Sequence, residues 1–162
     1  MSGRRASPPV AIGPSLRLRF RRVGAPGERY PAWVRSLDGH SGVYVIREYD
    51  GRRPAIVYVG ESHTDRLYGT LTRHWQAWSR HGRLAREFSA HDPGLIYDRS
   101  RCDAAAVVTS ACVAVELQNA LIGHLTPRDN IIAAGLPPAD LVDTCGQSLA
   151  DFGLAGADAV PF

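Results

Sequence analysis

The 162-residue sequence predicts a small mixed α/β domain, a β-hairpin followed by helices and preceded by a basic arm. Three observations carry that prediction. Gly42-Val43-Tyr44-Val45-Ile46 and Ile56-Val57-Tyr58-Val59-Gly60 are strand-type runs separated by the turn residues Asp50-Gly51 and Pro54. The hydrophobic period then changes to that of a helix after Gly60, and again after Ser110. Ahead of the hairpin, Leu16, Leu18 and Phe20 alternate with Arg17, Arg19 and Arg21, the period of a strand with one apolar and one cationic face.

In chain order, residues 1–14 are rich in Gly, Ser, Pro and Arg and read as a mobile tail. Residues 15–40 form the basic arm, 41–135 the central domain and 136–162 a C-terminal extension. A hairpin turn centred on Gly51 places Tyr44 and Tyr58 directly opposite each other. Cross-strand partners share a face, so both phenols point one way and Val43, Val45, Val57 and Val59 line the other. Ser62, Thr64 or Asp65 can cap a helix running to about Arg80. At about 100° per residue, Leu67, Leu71, Trp75 and Trp78 form its apolar stripe. Arg66, Thr70, Arg73 and Ala77 form a second stripe, with His74 between the two. A polar connection from His81 to Arg101 precedes a strand at Ala104 to Thr109. A second helix starts near Ser110, stops before Pro127 and turns Val113, Ala114, Leu117, Leu121 and Leu125 to the core. Glu116 stands at the edge of that arc, flanked by Cys112 and Ala120. A carboxylate there is costly unless something cationic compensates it, and a salt bridge to an arginine is the plainest compensation. Leu141 marks a weak strand or loop, and no internal repeat is present.

Composition excludes several classes. No apolar run approaches the roughly 20 residues of a membrane-spanning helix, and no apolar stretch follows Arg4 and Arg5 to make a secretory signal, so the expected compartment is the cytoplasm. The net charge of +3 leans toward anionic partners, with all 19 basic residues arginine. That uniformity reads as codon bias as readily as chemistry. Cys102, Cys112 and Cys145 include no CxxC pair, which argues against a zinc site or a disulfide scaffold. Cys102 and Cys112 read as small core residues. Without lysine there is no P-loop, and no nucleotide cofactor is expected. Gly60-Glu61-Ser62-His63-Thr64 lacks the second glycine of a nucleophile elbow.

What remains is two phenols on a hairpin, an arginine and a histidine on the next helix, and one rim carboxylate. Those groups suit phosphodiester hydrolysis. A carboxylate can hold Mg²⁺ or Mn²⁺ that also binds substrate phosphate. An arginine stabilises the charge of the transition state, and a tyrosine can orient or deprotonate the attacking water.

Gly42-Val43-Tyr44 followed by Tyr58-Val59-Gly60 resembles the paired signature of the GIY-YIG nuclease superfamily. Further on, Glu116-Leu117-Gln118-Asn119-Ala120-Leu121-Ile122 and Pro127-Arg128-Asp129-Asn130 resemble that family's metal-binding glutamate helix and the asparagine beyond it. His74 matches a histidine that many members carry on the first helix. The resemblance covers Ser41 to Ile132. It implies an α+β fold with a three-stranded antiparallel sheet flanked by helices, here with the N-terminal arm added. It also implies divalent-metal-dependent cleavage of DNA, with Tyr44 as the water-activating phenol and Glu116 as metal ligand. Tyr58 and Asn130 would support substrate and site geometry. The family's catalytic arginine often sits one turn before the histidine, a position occupied here by Thr70. Arg73 is the expected substitute, with Arg66 in reserve. Glu61 stands where relatives are often basic.

Arg17, Arg19 and Arg21, with Arg66 and Asn130, are the expected DNA contacts. A catalytically silent DNA-binding module reusing the fold is the alternative, motivated by Thr70 and Glu61. A toxin-like or mobile-element component that needs a partner is a weaker third reading. One active site cuts one strand, so double-strand cleavage would call for a homodimer, a protein partner or sequential nicks.

Overall fold

The computed structural model describes residues 10–12, 15–51, 53–76, 96–130 and 148–154. Its centre is the hairpin of β4 (Gly42–Asp50) and β5 (Arg53–Ser62), and β6 (Cys102–Val108) pairs antiparallel with the other side of β4. Upstream lie β1 (Val10–Ala11), β2 (Arg17–Leu18), β3 (Arg21–Arg22) and the single-turn helix α1 (Ala32–Arg35). Helix α2 (Leu67–Thr72) follows the hairpin, and α3 (Ala111–Leu125) follows β6.

The antiparallel sheet has four strands in the order β3-β6-β4-β5, not the three that the resemblance implies. The fourth is β3, whose Arg21 and Arg22 pair with Ala104 and Asp103 and occupy the otherwise open edge of β6. A separate two-stranded sheet joins Val10 to Leu18 and Ala11 to Arg17, so residues 10–12 of the segment read as a tail enter the fold. The alternation of the arm holds: Leu16, Leu18 and Phe20 are buried, and Arg17, Arg19 and Arg21 are exposed.

The hairpin differs from expectation in register. Asp50 pairs with Arg53 and Arg47 with Ile56, but past an irregularity Ile46 pairs with Tyr58 and Tyr44 with Gly60. Val57 is the extra residue of a β-bulge. A two-residue turn alone would set Tyr44 opposite Val59 and send the two phenols to opposite faces. The inserted residue reverses that parity, so Tyr44 and Tyr58 share a face as diagonal neighbours. It also moves Val57 away from Val43, Val45 and Val59, into the cluster that holds Tyr44 and Ile46.

Each face of the sheet carries its own core. Val43, Val45, Val59 and Ala105 pack against Val113, Leu117 and Leu121 of α3 and against Leu16, Leu18 and Phe20 of the arm. Tyr44, Ile46, Val57 and Ala104 pack against Leu67 and Leu71 of α2 and Val34 of α1. Helix α3 begins after Ser110 and ends on Thr126, a left-handed residue with φ of 44° just before Pro127, as the sequence predicts.

The helix expected to run to Arg80 is shorter and starts later. Ser62 belongs to β5, where its Oγ accepts the Arg66 N–H at 3.1 Å, and Arg66 is the residue that heads α2. Thr70 and Thr72 turn their hydroxyls back onto the carbonyls of Arg66 and Tyr68, at 2.7 and 2.9 Å. Such back-bonding weakens and bends a helix, and here the chain tightens into a 3₁₀ turn over Arg73–Trp75. Ala77, Trp78, Arg80, most of the following connection, Cys145 and the segment around Leu141 lie outside the described residues. Of the extension, Leu149–Phe152 form a 3₁₀ turn, and Leu149 joins the α3 core.

Cys102 is free and buried in the second core, and burial pushes its thiol up to about 12. Cys112 is buried against α3's core and is disulfide-bonded rather than a free core thiol. Among the described residues, no helix is long and apolar enough to cross a membrane.

Candidate active site

Three of the predicted site residues meet on the α2 side of the sheet. Tyr44 Oη lies 2.8 Å from His74 Nε2. The Tyr44 and Tyr58 rings stack at 6.2 Å between centroids and 27° between planes. The His74 ring sits 4.6 Å from that of Tyr58 and 5.6 Å from that of Tyr44. The bulge brings the phenols to one face, and the 3₁₀ turn at Arg73–Trp75 carries His74 over them. Tyr44 and His74 are 2% and 3% exposed, whereas Tyr58 is only half-buried. Tyr58 is therefore the phenol that faces outward, although the resemblance assigns water activation to Tyr44.

Both glycines of the paired signature are required by close approach. A Cβ on Gly60 would fall 2.3 Å from Cζ and Oη of Tyr44, so only glycine lets that ring lie flat across β5. A Cβ on Gly42 would fall 2.2 Å from the backbone oxygen of Val107, where β6 crosses. The motif thus fixes where the Tyr44 phenol rests.

Glu116 is partly buried on α3, the helix that packs on the opposite face of the sheet. Its carboxylate makes no hydrogen bond or ion pair among the described residues, so the salt bridge that would explain it as structure is not formed there. Nor do the described residues contain a group of three or more His, Cys, Asp or Glu side chains able to hold a metal. Glu61 faces the same side as Val43, its cross-strand partner, and its two oxygens lie 3.2 and 3.1 Å from Nδ1 of His63.

Asn130 has a precise structural use. Its side-chain oxygen accepts the Val59 N–H at 2.8 Å and its amide donates to the Val59 carbonyl at 2.9 Å. The side chain thereby acts as one more strand residue on the outer edge of β5, next to Tyr58. Arg73 is half-buried with its Nε enclosed, while Arg66 is exposed at the head of α2. The α-helical stripe that the sequence predicts for the pair breaks where the 3₁₀ turn begins. Arg17 and Arg19 stand exposed on the arm, and the Arg21 guanidinium lies 4.2 Å over the Trp33 ring.

Beside the phenols, Tyr97 has no mark in the sequence, whereas its partner Asp129 lies in the run that carries the resemblance. Tyr97 is buried with its ring 5.9 Å from His74, and its hydroxyl donates to Asp129 Oδ2 at 2.9 Å. Burial and then the Asp129 carboxylate push the Tyr97 phenol well above its ordinary range. Arg128 forks onto Asp129 at 2.8 and 2.7 Å and reaches Glu48 at 3.2 Å. The Arg128 hydrogen bond holds the Asp129 carboxyl below the usual carboxylate range against a smaller opposing effect of burial.

No family model matches the chain, and no curated protein or solved structure is detectably similar to it.

Proposed function

We propose that the protein is a divalent-metal-dependent DNA endonuclease of the GIY-YIG type. The observation that carries the reading is the Tyr44–Tyr58–His74 cluster, seated by Gly42 and Gly60 and reached through a bulge that puts both phenols on one face. A phenol in hydrogen-bond contact with an imidazole has a partner able to take its proton, the arrangement that general-base activation of water requires. His74 in this reading holds the proton given up by Tyr44, and Tyr58 lines the outward side where substrate phosphate arrives. Glu116, without a side-chain partner among the described residues, supplies the carboxylate for Mg²⁺ or Mn²⁺. A single carboxylate fits such an ion, because Mg²⁺ keeps several waters and takes further oxygens from substrate phosphates. When bound, the ion would neutralise charge developing on the phosphoryl oxygens. Arg73 or Arg66 would add the guanidinium, and Arg17, Arg19 and Arg21 would hold the DNA backbone.

The test is nicking of supercoiled plasmid by the full chain in Mg²⁺, Mn²⁺ or EDTA. Nicking in either metal and none in EDTA is the expected result. Failure to cleave duplex, single-stranded and branched DNA in both metals would overturn the reading.

One observation favours the alternative of a DNA-binding module without chemistry: Tyr44 is 2% exposed, so its phenol is closed to bulk water. That reading predicts no cleavage, together with DNA affinity that falls with salt and is unchanged in Glu116→Ala. Replacing Arg17 and Arg19 by Gln would then flatten the plot of log K against log salt by about 0.9 for each phosphate left unneutralised.

A further inference from the structure

Both neighbours of Tyr58 are held from outside the sheet. The Val57 carbonyl accepts the Asp129 N–H at 2.9 Å, and both backbone groups of Val59 bond the Asn130 amide, at 2.8 and 2.9 Å. One residue earlier, the Arg128 N–H reaches the Ile56 carbonyl at 3.2 Å. The segment Arg128–Asn130 is thus a strap along the outer edge of β5, with no strand of its own. It lies where the hairpin is least constrained, because the bulge at Val57 interrupts pairing with β4.

The strap is in turn tied to His74. Asp129 accepts the Tyr97 hydroxyl at 2.9 Å, the Tyr97 N–H donates to the His74 carbonyl at 2.9 Å, and the Tyr97 ring flanks the imidazole. Arg128 braces the carboxylate from the other side through two hydrogen bonds, fixing its plane. The path from Val57 through Asp129 and Tyr97 to His74 consists of consecutive hydrogen bonds between buried or half-buried groups.

We infer that Tyr97 and Asp129 are positioning residues that set the orientation of Tyr58 and His74 in the site. The inference rests on the reading of those two side chains as functional. Neither Tyr97 nor Asp129 touches the proposed reacting atoms. They act by tying the strap, whose Asp129 N–H holds Val57 on one side of Tyr58, to the turn that carries His74. A small misplacement of a catalytic side chain costs rate rather than affinity.

The test uses Tyr97→Phe, which removes one oxygen and keeps the ring, and Asp129→Asn, which keeps the shape and removes the charge. Two readouts are taken on the full chain: ring nitrogen signals of His74 and ring carbon signals of Tyr58 by NMR, and kcat and KM for nicking. Both variants are expected to keep a cooperative thermal transition and to shift the His74 and Tyr58 ring signals. The kcat should fall roughly tenfold to a hundredfold with KM changed by less than about twofold. Ring signals unmoved in Tyr97→Phe, or a rise in KM with kcat intact, would overturn the inference. If wild type does not nick, the endonuclease reading fails and the NMR comparison still decides whether the pair orients the cluster. If Asp129→Asn does not fold, Tyr97→Phe alone gives the answer.

Discussion

The two faces of the sheet are held by different chemistry. On the α3 side, Val43, Val45, Val59 and Ala105 meet Val113, Leu117 and Leu121, a contact between hydrocarbon surfaces. On the α2 side, Leu67, Leu71 and Ile46 are interleaved with Tyr44, Tyr58, His74 and Tyr97, whose polar atoms include partners for one another. The first face stabilises by area and volume, so its residues are exchangeable for others of the same size. The second depends on particular pairs, because a buried polar atom that loses its partner carries the full desolvation cost. Proposed chemistry uses both faces: the phenols and His74 from one, Glu116 from the helix on the other.

One buried charged pair on the α3 side is the exception to this division. Arg47 and Asp103 are 5% and 6% exposed on the α3 side and are joined at 2.9 and 2.6 Å. Tyr49 donates to the same carboxylate at 2.8 Å, and Phe20 of the arm lies 4.1 Å under the guanidinium. Asp103→Ala leaves that guanidinium buried and uncompensated and should cost about 3–5 kcal/mol in chemical denaturation, the largest stability effect expected. Leu117→Ala, on the same face, should cost about 3 kcal/mol through reduced burial and the cavity left behind. Tyr44→Phe changes no volume to speak of but removes the hydroxyl 2.8 Å from His74 Nε2, and about 1–3 kcal/mol is expected. If Tyr44→Phe were neutral while Leu117→Ala were costly, the distinction between the faces would collapse.

The smallest effect concerns pH. The Asp129 carboxyl is held below its ordinary range in the folded protein, chiefly by Arg128 and also by Tyr97. Its contribution is therefore complete above the unfolded value of about 3.9 and is lost as pH falls through the lower folded value. The gap in melting temperature between wild type and Asp129→Asn should stay constant from about pH 7 to 5 and close below about pH 4. A gap that widened on acidification would contradict the assignment of that carboxylate as the ionised partner.

What could be read from the sequence follows a physical line. The hairpin is announced by Asp50-Gly51 and the end of α3 by Pro127, because turns and helix stops act through one or two residues. Ser110 marks where α3 begins although its side chain makes no capping hydrogen bond. The bulge at Val57 has no such marker. Whether two side chains share a face depends on the parity of the whole turn, so one inserted residue changes the register although the shared face survives. The start of α2 is obscured because Ser62, a good capping residue, does its capping from the end of β5. Its early tightening traces to Thr70 and Thr72, whose hydroxyls compete for helix carbonyls. Among the site residues, Tyr44, Tyr58 and His74 are marked by the motif and meet in space. Tyr97 is not, since it lies at the end of a polar connection without periodicity and reaches the site by pairing with Asp129, 32 residues away. The fourth strand is hidden for a similar reason: Arg21 and Arg22 show where the arm alternates, not which edge it joins.

The proposed endonuclease reaction draws on both faces of the sheet. Its most direct test is plasmid nicking in Mg²⁺ or Mn²⁺ by wild type, Glu116→Ala and Tyr58→Phe in parallel. Metal-dependent nicking by wild type that drops at least about a hundredfold in each variant, with thermal stability preserved, is the predicted result. Nicking retained by either variant would show that its face of the sheet takes no part in the chemistry, and would contradict the account.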